Sequence, residues 1–147
     1  MTVTLDEALA IASATLAAGR RRGAQPLTVV VLDPGGHIKA ALREDGAGIL
    51  RREIAEAKAH GALGMGLPSR VLFDMAQANP NFFAAVAAAS GGRIVPNPGG
   101  VLLRDPAGHI AGAVGVSGDT GDMDETCIMD GIAAAATRLG GDIGRKD

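Results

Sequence analysis

The sequence predicts an α+β fold, a central antiparallel sheet of about five strands with helices packed on it. Two observations carry this expectation. Helical and strand patterns follow one another in blocks, in the order α, ββ, α(α), βββ, α, which suits helices laid on an antiparallel sheet rather than a doubly wound parallel one. The strand blocks are joined by turn sequences: Asp33, Pro34, Gly35 and Gly36 place a φ-fixing proline before glycines free to take positive φ, so the chain returns as a hairpin. The 147 residues fit one domain, 1–147, long enough to bury roughly 68 to 70% of the unfolded surface.

Thr4 and Glu7 have capping-box spacing, and Leu5, Ala8, Leu9, Ala12 and Leu16 follow at helical spacing, so the first helix is expected from Leu5 to Arg21, stopped by Gly23 and Pro26. Leu27 to Leu32 is apolar on both faces and reads as a central strand. The return strand, His37 to Arg43, alternates. A helix from Leu50 to Leu63 comes next, with Leu50, Ile54, Ala57 and Gly61 as its buried stripe and Arg52, Glu56 and His60 opposite. Another runs from Arg70 to Ala78, broken at Asn79 to Asn81 before an alanine-rich turn through Ala89. Arg93 to Val95, Val101 to Arg104 and His109 to Ser117 are expected strands, and Met123 to Leu139 the last helix, capped by Asp122 with Glu125.

Composition narrows the function. Nearly half the residues are apolar, yet there are three Phe and no Trp or Tyr, so the core is built from small pieces that each bury little area. Burial between subunits is expected to make up the difference, giving a homo-oligomer. A net charge of −2 and few aromatics argue against nucleic acid, and Arg20 to Arg22 suit a helix C-terminus. A single cysteine, acids near the start and no long apolar run point to a protein of the cytoplasm without a membrane anchor.

The stretch from Gly112 to Glu125, GAVGVSGDTGDMDE, concentrates the unusual features. Period two places Ile110, Gly112, Val114 and Val116 on one strand face and Ala111, Ala113, Gly115 and Ser117 on the other, which is almost bare. Glycine in a strand marks the close approach of a ligand, a helix or another backbone. The glycines lack the lysine of a phosphate loop, and the acids that follow repel phosphate. Asp124 is left as the acid for a ligand or proton-transfer role. Lys58 is either a lysine with its stem laid along the surface or a pocket lysine that holds a carboxylate or acts as a base. Arg43 either bridges Asp45 or binds an anion, and His60 is the expected i+4 partner of Glu56. LDPGGHIKA at Leu32 returns as RDPAGHIAG at Arg104, which reads as two hairpins with one turn chemistry. A metal held between His37 and His109 is the sharper reading, but no ligands lie at metal spacing.

Together VVVLDPGGHIKAALREDGA (Val29 to Ala47), AKA (Ala57 to Ala59), Gly99 with Gly100, and GAVGVSG with the following Asp124 and Glu125 resemble the GlcG/HbpS-like proteins, which include the C-terminal domain of PduO-type corrinoid adenosyltransferases. Val101 and Leu102 stand where a proline often follows the paired glycines, and Met123 where glutamine is common. The resemblance implies a profilin-like domain assembled as a tetramer or octamer, with haem or corrinoid bound in some members and catabolic operons associated with others. Two functions follow. One is a small-ligand-binding oligomer for haem, corrinoid or a catabolic metabolite, with Arg43, Asp45, Gly99, Gly100, Ser117 and Gly118 at the ligand. The other is a cofactor-free isomerase, tautomerase or lyase on a small oxo or hydroxy acid, with Lys58, Asp124 and Glu125 as catalytic groups.

Overall fold

A computed structural model describes residues 1–144. Its elements are α1 (Leu5–Arg22), β1 (Thr28–Leu32), β2 (Ile38–Arg43), α2 (Arg51–Met65), α3 (Ser69–Ala78), α4 (Pro80–Ala89), β3 (Gly100–Arg104), β4 (Ile110–Ser117), α5 (Gly121–Ala135) and β5 (Gly140–Asp142). The strands form one sheet in the order β2-β1-β4-β3-β5, with every neighbouring pair antiparallel. This is the predicted α+β class. α1 begins with the expected capping box between Thr4 and Glu7 and ends on left-handed Gly23. β1 is buried along its whole length and central.

Three elements differ from the sequence reading. Arg93 to Val95 is not a strand: it is three residues wedged between a two-glycine turn and Pro96, which has no amide to give a ladder. The fifth strand is instead β5, on the outer edge of β3, and the last helix stops at Ala135, before a left-handed Ala136, rather than at Leu139. The alanine-rich segment to Ala89 is not a turn but a helix, α4, with Pro80 at its first position, where the missing amide costs nothing.

α1 and α5 cover one face of the sheet and α2 the other. Val29, Val31, Val101, Leu103, Val114 and Val116 point toward α1 and α5, while Val30, Leu32, Leu102 and Ala113 meet α2. Strict alternation along β4 holds from Gly112 to Ser117 and inverts at its start. The pairing shifts between Leu103 and Arg104, so that Ala111 joins the α1 and α5 side and Ile110 the α2 side. A bulge of this kind adds one residue to a strand and reverses which face the next side chain takes.

The bare face of β4 is filled by α2. A Cβ on Gly115 would lie 1.8 Å from the Ala55 carbonyl oxygen, and one on Gly100 would lie 2.5 Å from the Lys58 carbonyl oxygen. The buried side of α2 is therefore Ala55, Ala59 and Ala62, together with Ala57, Lys58 and Gly61; of the expected stripe Ala57 and Gly61 are buried, whereas Ile54 is half-buried and Leu50 is 65% exposed. A floor of glycine accepts a helix only through small side chains, and this overrides the preference for large apolar ones. On the opposite face, Gly131 of α5 abuts Thr15 of α1 in the same way, and Cys127 is buried beside it. The two hairpin turns share one end of the sheet. Asp33 Oδ1 accepts from the amides of Gly35 and His37, and Asp105 Oδ1 from those of Ala107 and His109, so the sequence echo is one turn chemistry used twice.

Candidate functional site at the open end of the sheet

Opposite the hairpins, β4 ends at Ser117 and passes through Gly118, Asp119 and Thr120 into α5. Thr120 caps that helix by accepting from the Met123 amide. Asp122 and Glu125 are therefore not the cap. The helix begins earlier than the sequence suggested, which turns both acids toward α3, where Arg70 binds Asp122 and, at 2.9 Å, Glu125. Asp124 faces inward. Its Oδ2 accepts from Lys58 Nζ at 3.1 Å and its Oδ1 from the Asp119 amide at 3.0 Å, while Lys58 also donates to the Val116 carbonyl at 3.0 Å.

Lys58 is 3% and Asp124 1% exposed. Burial pushes the Lys58 ammonium below its ordinary range and the Asp124 carboxyl above its own, each partly offset by the other's charge. Gly99 and Gly100 close over the pair. Gly99 holds φ at 117°, and a Cβ there would lie 2.8 Å from Lys58 Nζ. The Gly100 amide donates to Ser69 Oγ at 2.6 Å. Lys58, Asp124, Gly99 and Gly100 do come together as one cluster; Glu125 belongs to the Arg70 pair beside it, and Gly118 packs on the Pro26 carbonyl.

A second cluster opens to solvent. Arg43, Thr28 and Ser117 form one cross-strand row over β2, β1 and β4. Arg43 donates to the Ala47 carbonyl at 3.0 Å and forms no ion pair with Asp45 among the described residues, which corrects the expected bridge; Glu44 instead holds Arg20. From the start of α2, Arg51 donates to Ser117 Oγ at 3.1 Å. Because α2 lies over β1, β4 and β3 but not β2, a cleft of about 320 Å³ is left beside the row, lined by Thr28, Ala41, Arg43, Ile49, Arg52 and Glu53. Asp45 lines a neighbouring cleft with Arg20 and Arg43. Thr28, Arg51, Ser69 and Arg70 were not anticipated. Thr28 had a visible signal, as the one polar side chain in the run from Leu27 to Leu32; Ser69 and Arg70 had none.

His60 does not pair with Glu56, which Arg52 holds; its Nδ1 lies 3.1 Å from the Arg93 carbonyl. His37 and His109 stand exposed on the two turns. No group of three His, Cys, Asp or Glu among the described residues is arranged to hold a metal ion.

With this geometry in place, comparison with known proteins decides the relationship. Residues 3–133 match the family described as haem-degrading protein HbpS-like. The chain belongs to the HbpS-like family. Among solved structures, that of HbpS is 28% identical, with a TM-score of 0.77 over 90% of this chain and 89% of that one. The complex of PduOC with heme aligns over 95% of this chain and 98% of that one, with a TM-score of 0.84 at 22% identity. ORFY of Klebsiella pneumoniae aligns over 92% of each chain, with a TM-score of 0.82 at 24% identity. No curated protein matches the sequence. The last two identities speak for the shared fold.

The family's haem provides a test of the residues present in this HbpS-like chain. A predominantly apolar cleft between α2 and α4, lined by His60, Gly64, Met65, Val86, Ala89 and Ile94, holds about 250 Å³, below the roughly 300 to 1,000 Å³ of pockets that enclose drug-sized ligands. A single subunit therefore does not enclose a porphyrin there, and His37 and His109 stand exposed beside Asp33 and Asp105.

Proposed function

We propose that this chain is a small-molecule-binding domain that takes a metabolite-sized ligand in the cleft at the open end of its sheet. The observation that carries this is the row of Arg43, Thr28 and Ser117, of which Arg43 and Thr28 line a cleft of about 320 Å³. Binding sites combine such a cleft with a few converging polar groups. The family description and the heme complex of PduOC support a second reading, in which the ligand is haem or a corrinoid. Titration with haemin separates the two. An unshifted Soret band, with a rise in melting temperature on addition of a small metabolite, is the expected result; a saturable Soret shift at one haemin per chain would replace the first reading by the second.

The isomerase, tautomerase or lyase reading draws on the Lys58 and Asp124 distance, which is within the reach of general acid and base catalysis. Their burial under Gly99 favours a different duty, tying α2 to α5, and binding is the better supported function. The domain is further proposed to act as a homo-oligomer in the cytoplasm. Leu5, Leu9, Ile38, Ile49, Leu50, Phe73 and Phe82 supply exposed apolar area for subunit contacts, and no helix among the described residues is long and apolar enough to cross a membrane. Light scattering at micromolar concentration should return a multiple of 14.7 kDa; the monomer mass would refute assembly.

A further inference from the structure

We infer that the cleft beside Thr28 is a carboxylate site, an inference that rests on the small-molecule reading and names the class of its ligand. Thr28 is 1% exposed, and its hydroxyl oxygen is the one buried side-chain polar atom among the described residues with no hydrogen-bond partner. Such an orphan is costly, because its lost hydration is not replaced. It sits on the α2 side of β1, between Arg43 and Ser117 in the cross-strand row, and Thr28 lines the cleft.

Around it Arg20, Arg43, Arg51 and Arg52 face Glu44, Asp45, Glu53 and Glu56, and it is the pairing, not the net charge, that leaves guanidinium donors open. Arg20, Arg22, Arg70, Arg104 and Arg138 each hold a carboxylate of this chain, whereas Arg43 and Arg51 hold none. Arg43 spends one donor on the Ala47 carbonyl and Arg51 one on Ser117, leaving most of each guanidinium's five donors for a ligand. Arg52 is held by both Glu53 and Glu56, so Glu53 on the cleft wall is already paired. No side chain caps the start of α2 beside the row, and its positive end adds to the attraction for an anion. A planar carboxylate suits this set: the Arg43 guanidinium, which lines the cleft, binds it edge-on, the Thr28 hydroxyl donates to it, and Arg51, on the adjoining surface, adds its charge. Ala41 and Ile49 give the cleft an apolar wall for a short carbon chain.

The test is a chemical-shift titration of the full chain with acetate, lactate and succinate, with acetamide as the uncharged isostere and inorganic phosphate as the other oxyanion. Carboxylates should shift Thr28, Ala41 and Ile49, and acetamide should not. Thr28→Val should melt at or above the wild-type temperature, since the orphan is removed, and should weaken carboxylate binding about tenfold; Arg43→Gln should weaken it at least as much, as expected for the loss of a charge-assisted bond. Equal binding of acetamide, binding of phosphate alone, shifts confined to another surface, or full affinity in Thr28→Val would each overturn the carboxylate assignment. An uncharged metabolite saturating this cleft would overturn it while leaving the small-molecule reading intact, and haemin bound to the exclusion of all of these would remove both.

Discussion

Replacing the partners of the buried ion pair one at a time should give opposite pH signatures. Asp124→Asn keeps an acceptor for the Asp119 amide but leaves the Lys58 ammonium 3% exposed with only the Val116 carbonyl as partner. Breaking a buried pair from one side costs about 3 to 5 kcal/mol. Against the roughly 5 to 15 kcal/mol that holds an ordinary domain together, that is a large fraction, and it lowers the melting temperature by about 6 to 20 °C at about 2 to 4 °C per kcal/mol for a chain of this size. In this variant Lys58 keeps its burial and the repulsion of Arg51 but loses the carboxylate that raised it, so its folded value falls further below the 10.5 of the free side chain. The unfolded state then binds more protons in that window, and stability rises with pH. Asp124→Asn should therefore approach wild type near the alkaline end of the window and fall away as pH drops through the folded value. Lys58→Met does the reverse. Asp124, already raised above 3.8 by burial, rises further without Lys58, so the variant is nearest wild type in acid and loses stability as pH climbs through the folded value. The double variant carries no charge at this buried pair and should lie within about 1 to 2 kcal/mol of wild type, because uncharged replacements of a buried pair are often neutral. Urea melts across pH, read for midpoint and slope, measure all of this. Additive losses in the double variant, or the same pH trend in both single variants, would refute the coupling.

Gly115→Ala should cost at least about 3 kcal/mol, since its Cβ meets the Ala55 carbonyl oxygen at 1.8 Å and α2 cannot seat; Gly140→Ala, with open space around the new methyl, should stay within about 0.5 kcal/mol, and equal effects would contradict the glycine-floor account. Thr120→Ala should cost about 1 kcal/mol in a denaturant melt as the loss of the true cap of α5; no change would return the cap to another residue. Arg70→Met should loosen the start of α3 from α5 by breaking its bonds to Asp122 and Glu125, seen as faster amide exchange in both helices, and unchanged exchange would refute that tether.

Much of the fold could be read from local signals. Thr4 with Glu7, the Asp-Pro turns and the largely apolar run of β1 each carry their instruction within a few residues, and each produced the expected element. Failures occurred where distant contacts decide. Nothing local says that α2 must turn its alanines inward, because the reason is a glycine floor, Gly100 and Gly115, that lies far along the chain. The bulge that inverts Ile110 and Ala111 depends on pairing with β3, and β5 exists only because β3 offers it an edge. The candidate site was legible in part. Lys58 and Asp124 stand out in the sequence by their chemistry and do meet, but their sealing under Gly99 is a tertiary fact. Arg43 and Ser117 are each legible alone; that Thr28 stands between them follows from strand register, which the sequence does not state.

The most direct test of the central claim is a crystal structure of the protein purified from cells without added ligand, examined for density beside Thr28, Arg43 and Ser117. The account predicts a small molecule there, with a charged end within hydrogen-bond distance of the Thr28 hydroxyl and the Arg43 guanidinium. A porphyrin bound elsewhere with this cleft filled only by water would contradict it.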